Sequence, residues 1–109
     1  MLTTTTDLPI ACDMSAIPAE LRAEHALSAR ALFQGRARKV ISTETDEEGW
    51  RLAFEADAFE QLTRWIALER LCCPFLRFEV EVTPGAGALS LTLSGPAGTV
   101  AFLEQEIGS

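Results

Sequence analysis

Residues 57–82 read DAFEQLTRWIALERLCCPFLRFEVEV, and the hydrophobic period changes in the middle of this stretch. Up to Cys73 the apolar residues recur at spacings of three and four: Ala58, Leu62, Trp65, Ile66, Cys72 and Cys73 share one helical face. After Pro74, Leu76, Phe78, Val80 and Val82 alternate with Arg77, Glu79 and Glu81, the period of a strand with one buried face. Pro74 marks the change, because the residue before a proline avoids helical geometry. The stretch therefore predicts a helix over 58–73, capped by Asp57, followed by a strand over 75–83.

Working outward, the helix joins two hairpins. Upstream, residues 36–45 and 50–56 read as strands around the turn Asp46-Glu47-Glu48-Gly49, with Gly49 available for a left-handed position. In the second strand Trp50, Leu52, Phe54 and Ala56 form the apolar face. Downstream, Pro84-Gly85-Ala86-Gly87 turns the chain into a fourth strand with Leu89, Leu91 and Leu93 on one side. A first helix is predicted over 18–34, ending at Gly35, with Leu21, His25, Ala29 and Leu32 on its inner stripe. Pro96 opens a last helix that buries Val100, Leu103 and Ile107. The order αββαββα predicts an α+β two-layer sandwich, a four-stranded mainly antiparallel sheet with helices on one face. Residues 1–8 read as a flexible leader and 9–109 as one domain. The polar sheet face is left for water or for a homodimer.

The chain has 109 residues, and its 48% apolar and 23% charged content excludes disorder and a disulfide-dense scaffold. A net charge of −7 disfavours nucleic acid as a partner. No apolar run is long enough to cross a membrane, and the N-terminus lacks the basic and apolar parts of a secretory signal. A cytoplasmic protein with free thiols is expected, since three cysteines cannot all pair within one chain.

The chemistry lies in the thiols. Cys72 and Cys73 are adjacent, and Pro74 lets the second sulfur swing toward the first. Cys12, just before the first helix, can close the same site. Three thiolates suit a soft or thiophilic ion of the Hg(II), As(III) or Cu(I) class; zinc fits less well, because CxxC spacing is missing. Glu69 falls in the middle of the apolar face, and a carboxylate there needs a partner: His25, Arg38 or Arg77. Glu69 and His25 are thus expected to stand behind the thiols and orient them. A Cys12 disulfide with Cys72 or Cys73, acting as a redox switch, is the alternative, and a structural or interaction module with buried cysteines is the third reading. No catalytic residue is assigned: phosphate loops, nucleophile elbows and HExxH are missing, and the cysteines sit at the helix end whose dipole disfavours a thiolate.

The chain also resembles a small group of bacterial proteins. The likeness rests on Pro9-Ile10-Ala11-Cys12, Gly49-Trp50-Arg51-Leu52-Ala53-Phe54, the Glu69-Arg70-Leu71-Cys72-Cys73-Pro74-Phe75-Leu76-Arg77-Phe78 segment and Leu91-Thr92-Leu93-Ser94-Gly95-Pro96. The resemblance implies no particular activity; it implies an association with heavy-metal, especially mercury, resistance. The sequence departs from the group at Ile17, where Thr or Ser commonly precedes the proline.

Overall fold

A computed structural model of the chain describes residues 10–107. The predicted leader, 1–8, lies outside that range. Helix α1 is Arg22–Phe33, strand β1 Lys39–Ser42, β2 Glu48–Phe54, helix α2 Phe59–Cys72, β3 Arg77–Val82, β4 Leu89–Gly95 and helix α3 Thr99–Glu106. The strands form one antiparallel sheet in the order β1-β2-β4-β3. The expected αββαββα order and α+β class hold.

The two hairpins meet through β2 and β4, so the longest apolar strands occupy the centre. Trp50 pairs with Leu93, Leu52 with Leu91 and Phe54 with Leu89, and all six are buried. Arg51 and Ala53 on β2, and Glu79 and Glu81 on β3, point the other way and are exposed. The helices pack on the apolar face through edge-on aromatic contacts: Phe33 of α1 with Phe54, Trp65 of α2 with Phe78, and Phe102 of α3 with Phe75. Such pairs add specific geometry to area burial.

Several boundaries move, each for a local reason. Pro18 is extended (φ −50°, ψ 135°), so a tight 3-10 turn over Ala19–Leu21 precedes α1. Ile17 is fully buried, which explains an apolar residue where a cap would be usual. The first strand is short because two of the arginines before it are engaged elsewhere: Arg36 binds the carbonyls of Leu32 and Ala53 and covers Phe54, and Arg38 lies over Trp50. Glu48 and Gly49 belong to β2 rather than to the turn; Asp46 takes the left-handed position (φ 64°) instead. Gly49 is required for another reason. A Cβ there would stand 1.7 Å from the Leu93 carbonyl oxygen. Asp57 makes no cap hydrogen bond, and α2 grows out of a 3-10 turn over Ala56–Ala58. Phe75 and Leu76 are buried but precede β3, and Val82 is exposed rather than inward. The last helix starts at Thr99, not Pro96, and buries Thr99 and Leu103 while Val100 is half-buried. Its first turn is held by Glu48, whose Oε2 accepts from the amides of Gly98 (3.2 Å) and Val100 (2.9 Å).

Candidate metal centre

Helix α2 ends where the thiols begin. The Cys73 amide still donates to the Glu69 carbonyl (2.9 Å), but Cys73 has left helical geometry (φ −122°, ψ 73°), as Pro74 requires. The departure brings the adjacent sulfurs to 3.7 Å. The third sulfur arrives from the segment before α1. The Asp13 amide donates to the Cys72 carbonyl (2.8 Å), docking that segment on the end of α2. Cys12 Sγ then lies 2.8 Å from Cys72 Sγ, as a thiol donor rather than a disulfide partner.

Glu69 sits one helical turn back and is buried as the wheel demands. Its Oε2 accepts from the Cys73 thiol at 3.1 Å, and its Oε1 lies 3.7 Å from Cys72 Sγ. On the far side Oε1 is 2.7 Å from His25 Nε2. His25 is therefore the partner among the three candidates. Arg38 lies over Trp50, and Arg77 reaches Glu79 across exposed surface. The His25 ring stacks on Trp65, and its Nδ1 is buried without a hydrogen-bond partner. Helices α1 and α2 thus meet through a continuous line, His25–Glu69–Cys73/Cys72–Cys12.

Ligand atoms of Cys12, Glu69, Cys72 and Cys73 all lie within 4.8 Å of one another. Sequence reasoning gave Glu69 a supporting role behind the sulfurs. Its carboxylate lies within the same cluster of atoms, with His25 on its far side. Three sulfurs and an oxygen form a group that could hold a metal ion.

The thiols do not share their protons equally. Cys72 Sγ is held below the usual thiol range, because Cys73 hydrogen-bonds to it and Cys12 adds a second bond; burial and the Glu69 charge oppose this. Cys12 is pushed up to about 12, mainly by burial and then by its bond to Cys72. Cys73 is also pushed up, first by its hydrogen bond with Cys72, then by burial and the Glu69 charge. Of the three thiols, Cys72 alone is shifted toward the thiolate, and Cys12 and Cys73 are shifted away from it.

Cys72 and Cys73 have no exposed surface, whereas Cys12 is half-buried. Cys12 and Glu69 line a cleft of about 610 Å³ between α1, the segment before it and the end of α3. The cleft is the open side of the site. Sequence reasoning did not find it, because its other wall comes from Glu106 and Ile107 at the opposite end of the chain. No family profile, curated protein or solved structure matches the chain. Among the described residues no helix is long and apolar enough to cross a membrane.

Proposed function

We propose that the chain binds one thiophilic metal or metalloid ion, of the Hg(II), As(III) or Cu(I) class, through Cys12, Cys72 and Cys73. The observation that carries this reading is convergence: three sulfurs from segments 60 residues apart meet beside a buried carboxylate. Cys72, the most acidic thiol, takes the ion first; the protons of the other two leave as their sulfurs bind. Glu69 orients the pair and His25 holds Glu69. Free thiols of this kind fit a reducing, cytoplasmic setting.

The test is titration of the reduced protein with Hg(II), arsenite or Cu(I) against a competing chelator, with native mass spectrometry. One ion per chain is expected. Cys72→Ser together with Cys73→Ser should abolish binding, and Cys12→Ser should weaken it. Unchanged binding in the double variant overturns the assignment; a wild type that binds nothing favours buried structural cysteines.

The 2.8 Å approach of Cys12 to Cys72 supports a second reading, a redox switch. Hydrogen peroxide would take two electrons and two protons from the pair, forming the S–S bond and two waters. Peroxide treatment followed by intact mass and mapping distinguishes this: a Cys12–Cys72 crosslink is expected, against none if the thiols only bind metal.

A further inference from the structure

The cleft over the thiols offers more room than a bare ion uses. Its lining is mixed: Met14, Ala26, Ala29 and Ile107 supply apolar surface, and Arg30, Gln34 and Glu106 polar groups. Ala26 and Ala29 stand one turn apart on α1, where larger side chains would fill the space. The spacing of the two adjacent thiols favours a bent pair of ligands over a linear one. With metal–sulfur bonds of about 2.3 Å, a linear pair of thiolates needs ~4.6 Å between sulfurs. Cys72 and Cys73 are 3.7 Å apart, which suits a bent centre with an S–M–S angle of about 107°. A bent, three-coordinate centre has one more ligand to place. Cys12 occupies that side, and it is the one sulfur of the three that lines the cleft.

Resting on the thiol site above, we propose that its substrate class is a trivalent arsenical bearing one organic group, with Cys72 and Cys73 as its two sulfur ligands. The organic group takes the position that Cys12 would fill on a bare ion, and lies in the cleft. For an aryl arsenic oxide the step is a condensation. Two As–S bonds form, the As–O bond breaks, and the two thiol protons leave with the oxygen as water. Arsenic stays trivalent, so no oxidant or reductant is needed.

Phenylarsine oxide and arsenite, each competed against a small dithiol, test this on the reduced full chain. Phenylarsine oxide should add one phenylarsenic group per chain with loss of one water. Cys12→Ser should lower arsenite affinity by about tenfold or more, yet change phenylarsine oxide affinity by less than about threefold. Ala29→Phe should do the reverse, costing phenylarsine oxide about tenfold and sparing arsenite. Ala26→Phe, at an exposed position on the same wall, serves if Ala29→Phe fails to fold. Equal losses for both ligands in Cys12→Ser overturn the proposal, as does an unaltered phenylarsine oxide affinity in a folded cleft-filling variant. If arsenite binds and phenylarsine oxide does not, this inference falls while the thiol site stands. If neither binds, both fall.

Discussion

Glu69 is the residue on which the site turns, because it touches a thiol with one oxygen and an imidazole with the other. Replacing it separates its charge from its shape. Glu69→Gln keeps an acceptor for His25 but removes a negative charge that disfavours thiolates at Cys12, Cys72 and Cys73. The thiolate absorbance of the variant should therefore titrate at lower pH than the wild type, with little loss of stability. Glu69→Ala should cost about 3 kcal/mol in urea unfolding, since it leaves a void and strips His25 of its Nε2 partner. A titration unchanged in Glu69→Gln would make the residue architectural. The raised thiols also set an alkaline limit. Cys12 ionises at 9.0 when unfolded and at about 12 when folded, and Cys73 shifts in the same direction. Above pH 9 the unfolded chain has lost these protons while the folded chain keeps them. Their contribution to stability is complete below pH 9 and disappears as pH rises toward about 12. The shift at Cys72 has the opposite sign and offsets part of it. Urea midpoints should decline above pH 9, and less steeply in Cys12→Ser. The burial of Glu69 was legible from the helix wheel, because a carboxylate interrupted an apolar stripe, whereas His25 was only one of three candidate partners. The place of Cys12 was legible only as one option: no periodicity precedes α1, and its position depends on a backbone bond from Asp13 to Cys72.

At the level of elements, the sequence pattern was clearest where burial alternates and weakest where a side chain acts away from its own element. The centre of β2 and β4, and the switch from helix to strand at Pro74, follow from period alone. The ends do not. Arg36 leaves the strand register to bind carbonyls on two other elements, and no local pattern announces that. Glu48 is the sharpest case. Among neighbouring acids it reads as part of a solvated turn, yet it lies in β2 and supplies the first turn of α3 with an acceptor that α3 lacks locally. Its charge also faces the positive end of that helix. Glu48→Ala should destabilise the fold by about 0.5–2 kcal/mol, the range for a lost N-terminal cap. Glu48→Gln, keeping an oxygen at the same place, should lose less. Denaturant midpoints check both. Equal stability of Glu48→Ala and the wild type would leave α3 held by Leu103 and Phe102 packing alone.

For the whole molecule, the candidate site joins regions that the chain keeps far apart. Cys12 enters from before α1, Cys72 and Cys73 close α2, and the cleft is finished by the end of α3. Because one chain supplies all three sulfurs, the bound stoichiometry should stay at one ion per chain across a wide protein concentration range; a ratio that changes with concentration would place the ligand between chains. The outer sheet face, with Arg51, Glu79 and Glu81, takes no part in this. The distance in sequence between the sulfurs has a mechanical meaning as well. An ion held by Cys12 and Cys72 fastens the chain to itself across 60 residues, enclosing α1, β1, β2 and α2 in a single ring. A covalent fastening of that span would withdraw about 4 kcal/mol of freedom from the unfolded polymer. A coordinated ion that survives unfolding would act in the same way, so loading should raise the thermal midpoint of the wild type well above that of loaded Cys12→Ser. The cargo would then be a buckle: its removal leaves the same folded chain with a longer tether to come apart.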